Sequence, residues 1–177
     1  MRARWAAIGA AVAVSLGGGV VMVANAAVTG ASNDLEFVSI PTCRIVDTRS
    51  GSDRVGGFAG PLGPGTSLTE KILVDVDNSV LSSITCEGIP ETGIKAVALN
   101  VTAVNPSTLS FIALWPGDVG VRPLGSNLNF KAGDAPTANQ VIVRVGVVSA
   151  NDGTFWVYNH AGSVDVVIDV NGYFIEA

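Results

Sequence analysis

Asp165 and Asp169 stand four residues apart in the closing stretch 164–174, and Asp47 stands two residues before Arg49. Paired carboxylates are the machinery of glycoside hydrolysis, one group acting as acid and the other as base or nucleophile. Residues four apart on an extended strand lie about 13 Å from each other along one face. Inverting enzymes hold their carboxylates about 6.5–9.5 Å apart, so Asp165 and Asp169 are poorly spaced for that work. A charge inside or at the rim of a core must be paired and hydrogen-bonded. Asp47, Arg49 and Asp169 are therefore read as a structural polar network in which Arg49 bridges Asp47 or Asp169. The functional version of the same trio is a polar ligand site.

A second constellation is aromatic. Trp156, Tyr158 and His160 alternate with Phe155 and Val157. If Phe155 and Val157 face a core, the other three form an outward row, to which Trp115 could add. Flat aromatic faces with polar edges suit stacking on sugar rings, which makes these four the candidate glycan-binding residues. The plainer reading packs Trp156 under a loop or against a neighbouring domain. Asn100, Asn127, Asn129 and Asn139 form a polar set whose amides either satisfy backbone groups or read sugar hydroxyls. Asp75, Asp77 and Asn78 are a loose calcium set, short of the about six to eight oxygens that ion takes. No other cofactor or metal is expected. His160 is the sole histidine, and neither a zinc-binding spacing nor a serine-nucleophile elbow is present. No catalytic residue is assigned, and the chain is not read as an enzyme.

The elements that must position these groups are strands. Alternation recurs at 72–77, where Ile72, Val74 and Val76 face away from Leu73, Asp75 and Asp77, and at 97–103. Further short apolar stretches lie at 44–49, 111–115, 127–130, 141–147 and 155–159, and the last runs through 164–174. There Val164, Val166, Ile168, Val170 and Phe174 share one face, opposite Asp165, Asp169, Asn171 and Tyr173. A period of two with Gly/Pro turns and no sustained helical period indicates an all-β domain. The expectation is an antiparallel two-sheet sandwich, jelly-roll-like, with eight or nine strands; a closed barrel is the alternative. Asn151-Asp152-Gly153 reads as a hairpin turn, and 159–163 as a longer one. The connections 51–67 and 116–126 are long for a compact domain.

Arg2 and Arg4 precede an apolar run over 6–24 that ends at Ala24-Asn25-Ala26. A basic start, an apolar middle and a small-x-small site make a secretory signal peptide, 1–26. An uncleaved anchor is the rival reading, since about 20 apolar residues span a bilayer. Residues 27–36 read as a linker and 37–177 as one domain. The 15 acidic residues outnumber the 10 basic ones, and loss of Arg2 and Arg4 deepens that excess. Such a balance argues against nucleic acid or an anionic membrane surface as partner. Cys43 and Cys86 are the only cysteines, and in an oxidising compartment a single disulfide is their natural state.

Several segments in order carry a resemblance: Pro41-Thr42-Cys43-Arg44-Ile45-Val46-Asp47-Thr48-Arg49, Ala98-Leu99-Asn100-Val101-Thr102-Ala103-Val104-Asn105-Pro106, Leu114-Trp115-Pro116, Ser126-Asn127-Leu128-Asn129-Phe130, Ala138-Asn139, Ala161-Gly162-Ser163 and Asp169-Val170-Asn171-Gly172-Tyr173-Phe174. Together they resemble a domain family common in secreted and cell-wall-associated proteins of actinobacteria, often found in tandem or beside peptidoglycan-acting modules. The family has no established catalytic role, so the resemblance implies a surface location more than an activity. The expected partners are a cell-envelope glycan or a surface protein, with self-association through edge strands as a further route.

Overall fold

The structure is a computed structural model. It describes residues 34–51, 55, 60–64, 86–90, 92–147 and 153–177, and the backbone of 71–75. The segment 1–26 read as a signal peptide, most of the stretch 27–36 read as a linker, and Asp77 and Asn78 of the expected calcium set lie outside the described residues. The strands are β1 (Leu35–Asp47), β2 (Lys71–Asp75), β3 (Ala96–Val104), β4 (Ser110–Pro116), β5 (Leu128–Phe130), β6 (Thr137–Arg144), β7 (Thr154–Asn159) and β8 (Asp165–Glu176). They form two four-stranded sheets in the orders β1-β8-β3-β6 and β2-β7-β4-β5. Every pairing is antiparallel. The architecture is all-β with two open sheets, which sets the closed barrel aside.

The core follows from the alternation. Val97, Leu99, Val101 and Ala103 of β3, Val141 and Val143 of β6, and Val164, Val166, Ile168 and Val170 on and just before β8 are buried. They meet Ile112 and Leu114 of β4, Leu128 and Phe130 of β5, and Phe155 and Val157 of β7 in one apolar cluster. Two inner faces of this kind, each alternating with an outer one, are what a sandwich requires.

Near its end β8 departs from strict alternation. Val170 pairs with Leu99 and Gly172 with Ala98, so Asn171 is the extra residue of a bulge. A bulge inserts one residue and exchanges the faces beyond it. Tyr173 therefore joins the core, with Ile175 packed against it, while Phe174 turns outward onto Phe37, ring centroids 5.1 Å apart. The sequence placed Phe174 inside and Tyr173 outside; the bulge reverses both. β1 is irregular at the same level, with register shifts between Ser39 and Cys43 and between Arg44 and Val46. The second shift makes Ile45 and Val46 neighbours that are both buried. Asp47 is the last residue of β1, so Thr48 and Arg49 lie beyond the strand.

Three other boundaries differ. β1 starts at Leu35, inside the stretch read as linker. β6 starts at Thr137 and ends at Arg144, earlier at both ends than expected. The connections after β6 and after β7 join different sheets, so neither is a hairpin between adjacent strands. At the first, Gly153 has φ 74° and its N–H donates to Gly146 O at 3.0 Å; Asn151 and Asp152 lie outside the described residues. At the second, the crossing is built on Asn159, fully buried at a core-facing position of β7. Its Nδ2 donates to the carbonyls of Leu62, Gly63, Ala161 and Gly162. Its Oδ1 accepts from Ser110 Oγ at 2.7 Å.

Cys43 and Cys86 form a disulfide, Cα atoms 5.6 Å apart and 43 residues apart in sequence. A loop of that length implies about 4 kcal/mol on the chain-entropy account. The Cys43→Ser/Cys86→Ser variant is expected to lose that order of stability in urea unfolding. Gly172 provides a sharper test of the bulge, because a Cβ there would stand 2.5 Å from both Val38 O and Phe37 Cζ. Gly172→Ala should cost about 1–3 kcal/mol. Adding Phe37→Ala should recover only part of it, since the backbone oxygen stays.

Candidate functional site

The outer faces of the two sheets carry the candidate groups, and they are different in kind. On the first sheet, β1, β8, β3 and β6 bring Arg44, Asp169, Asn100 and Gln140 into one cross-strand row. Arg44 grips Asp169 with two bonds, Nε to Oδ1 at 2.8 Å and Nη2 to Oδ2 at 3.3 Å. Its Nη1 reaches Asp47 Oδ2 at 3.2 Å. Asp47, only 1% exposed, sits between two guanidinium groups. Arg49 donates to it from Nε at 2.9 Å and from Nη2 at 2.6 Å. The Arg49 backbone N–H also donates to Asp47 Oδ1, in the manner of an Asx-turn.

Arg49 is thus placed on Asp47, while Asp169 is held by Arg44, a residue the sequence reading did not single out. The shift at Ile45 explains this, because it leaves Arg44 directly opposite Asp169. Hydrogen bonding from Arg49 is the first cause that holds the Asp47 carboxyl below the usual carboxylate range; burial opposes it, and the charges of Arg49 and Arg44 add to it. Hydrogen bonding to Asp169 is the first cause that raises Arg44. Asp165 accepts from Thr48 Oγ1 and Asn105 Nδ2, both at 3.3 Å. The carboxylates of this face therefore already hold protein partners. A recess of about 130 Å³ lined by Asp47, Arg49, Ser50 and Gly51 adjoins the cluster. It is smaller than the about 300–1,000 Å³ of ordinary ligand pockets.

On the second sheet, β4 and β7 pair so that Trp115 lies opposite Trp156 and Ala113 opposite Tyr158. The alternation places Phe155, Val157 and Asn159 inside and Trp156, Tyr158 and His160 on the other face. Phe111 joins that row, its ring stacked on His160 at 4.7 Å and 17°. Alternation of Phe111 with Ala113 and Trp115 was the signal that could have found it. Trp115 and Trp156 stack at 6.3 Å, and Trp115 meets Tyr158 edge-on. The segment 117–126 contacts this face. Trp156 Nε1 donates to Gly117 O at 3.0 Å and Trp115 Nε1 to Val119 O at 2.8 Å. Arg122 from the same segment lies over the rings of Tyr158, at 4.7 Å, and Phe111, at 5.7 Å.

The two tryptophans are accordingly fastened beneath a loop. Trp115 is buried and Trp156 half-buried, while Tyr158 is half-buried and His160 exposed. Tyr158 Oη and His160 Nδ1 are 3.3 Å apart. The four asparagines do not form one site. Asn100 is on the first sheet's outer face. Asn127 accepts the Leu114 N–H, Asn129 accepts from Ser126 Oγ, and Asn139 donates to Asn127 O. Among the described residues no group of three or more His, Cys, Asp or Glu side chains is placed to hold a metal ion. No helix among them is long and apolar enough to cross a membrane.

The Asp47 cluster makes stability depend on acid in a defined sense. A carboxyl whose folded pKa lies below its unfolded value stabilises fully above the unfolded value, about 3.9. That contribution is lost as pH falls through the lower folded value. Urea unfolding across the acid range should show this limb, and Asp47→Asn should flatten it. At neutral pH, Asp47→Asn should cost about 1–3 kcal/mol, since both arginine partners are partly in solvent and screened. No known protein family, curated protein or solved structure matches this chain.

Proposed function

We propose that this chain is an exported, non-catalytic module that binds a cell-envelope glycan through the outer face of its second sheet. The observation that carries this reading is the row of Phe111, Tyr158 and His160 on one sheet face, with Arg122 over two of the rings. His160 is the exposed member of this row, and its ring with the polar edges beside it offers a sugar both apolar contact and hydrogen bonds. Trp115 and Trp156 serve this face as its foundation, because their N–H groups are spent on loop carbonyls.

Export is supported by the N-terminal sequence and by the disulfide, which suits an oxidising compartment. Likeness of the ordered motifs to the actinobacterial surface family points the same way. The winding we favour is a jelly roll: the orders β1-β8-β3-β6 and β2-β7-β4-β5 are those of two interleaved Greek keys. Glycoside hydrolysis is disfavoured by the carboxylates themselves. A general acid needs a raised pKa, whereas Asp47 is lowered and Asp169 is clamped by Arg44. A second reading, assembly by strand addition, rests on β6. It is the edge of its sheet and carries outward Ile142, 65% exposed, where edge strands are usually guarded by charge.

Retention on purified peptidoglycan, followed by a glycan array, tests the binding reading. His160→Ala, at the exposed end of the row, should weaken retention at least about 10-fold, equivalent to about 1.4 kcal/mol, with little change in melting temperature. Unchanged retention would remove the proposed platform. Assembly through β6 predicts a concentration-dependent oligomer in sedimentation that Ile142→Lys abolishes.

A further inference from the structure

Arg122 holds a position that a purely apolar sugar platform does not call for. The chain has an excess of acidic residues, and on the first sheet Arg44 and Arg49 each engage aspartates. Arg122 does not. Among the described residues no carboxylate pairs with it; its Nη1 donates to the carbonyl of the adjacent Pro123 at 3.0 Å. Asp118, the acidic residue of the same segment, instead accepts the N–H of Val147. Among the described residues Arg144 also has no carboxylate partner, but it is exposed on the edge strand, whereas Arg122 is half-buried against Tyr158 and Phe111. The neighbouring polar groups are the Tyr158 hydroxyl and the His160 ring. Lys71 occupies the register position opposite Tyr158.

A guanidinium steadied on aromatic faces loses little further side-chain freedom on binding, and its planar fork matches a carboxylate with two parallel bonds. Partial burial reduces the screening that makes fully exposed charges weak. We propose that the outer face of the second sheet selects acidic sugars: the sugar lies against the exposed His160 ring at the end of the aromatic row while a carboxylate on that sugar or its neighbour is held by Arg122. This rests on the glycan reading above and adds the chemical class of the ligand. The alternative role for Arg122 is mechanical, a weight that keeps the segment 117–126 on the sheet.

The probe is an oligogalacturonide, compared with the same oligomer after methyl esterification, titrated by calorimetry against the exported protein. Wild type should bind the acid form at least 10-fold more tightly than the ester, and the difference should shrink as salt rises. Arg122→Gln should lose that 10-fold for the acid form and leave ester binding within about 2-fold. Arg122→Met keeps an apolar stem over the rings without the charge. It should behave as Arg122→Gln toward the ligand while melting like wild type. Equal binding of acid and ester by wild type would overturn the acidic-sugar inference and leave the glycan reading standing. Parallel loss of both forms in Arg122→Met, with a lowered melting temperature, would assign Arg122 the mechanical role and overturn it as well. Binding of neither form overturns the inference. In that case, retention on purified peptidoglycan decides separately whether the glycan reading falls. A sulfated glycan run alongside distinguishes carboxylate recognition from attraction to any anion, and equal affinity for it would overturn the choice of carboxylate.

Discussion

β8 lies between β1 and β3 and is hydrogen-bonded along both edges, so within the first sheet β1 reaches β3 through the last strand. Nearly everything on the first sheet is positioned by where the bulge at Asn171 falls within it. Before the bulge, Val166, Ile168 and Val170 point inward, which aims Asp165 and Asp169 outward at Thr48, Asn105 and Arg44. Asn171 itself spans the sheet, accepting from Thr42 and donating to Gln140. Past the bulge, Tyr173 and Ile175 take over the core positions. Without the extra residue, the alternation set by Val166, Ile168 and Val170 would turn Tyr173 and Ile175 outward and Phe174 into the core. The close fit of Gly172 against Phe37 and Val38 fixes the bulge in place, since no other residue leaves room for that approach.

The sandwich was legible because its strands obey a period of two over most of their length. Val97 to Ala103 and Phe155 to Val157 need no tertiary information to be assigned a face. What the pattern could not carry is where a strand stops obeying it. Ile45-Val46 and Asn171-Gly172 are bulges recognisable only from the partner strand, which is why Arg44 went unmarked and Tyr173 was assigned to the wrong side. The connections failed for a related reason. Gly153 and Gly162 adopt positive φ, as turn residues do. A turn's residues, however, do not say whether the next strand stays in the same sheet. Asn159 settles that here, as a polar residue at an inward position that feeds four carbonyls at the crossing. A buried amide of this kind is costly unless fully bonded, so it specifies the crossover as well as tolerating it.

The two outer faces divide the chemistry between them. On the first sheet the charges answer one another. Asp47 is closed between Arg44 and Arg49, and Asp169 is held by a two-bond clamp, so little remains to meet a ligand. Ion pairs with half-exposed arginines contribute modestly to stability. Their value lies in holding Asp47 ionised at the strand end, where its carboxylate organises the backbone of Arg49. On the second sheet Arg122 is set on aromatic rings, and among the described residues no carboxylate pairs with it.

The segment 117–126 gives this second face its shape. Sheet residues provide the rings, but the loop decides which rings stay open, because Gly117 and Val119 take the indole N–H groups of Trp156 and Trp115. The loop is tied to the sheet at two points, and these ties hold the aromatic face and its rim in one arrangement. The same ties place Val121 and Leu124 outward in solvent beside Arg122, so the chemistry at the rim of the face is set by loop residues rather than by the strands. Loops change composition more freely than the strands that carry them. The β4–β5 loop thus sets the chemistry at the rim of this face, while the strands β4 and β7 supply the aromatic row beneath it.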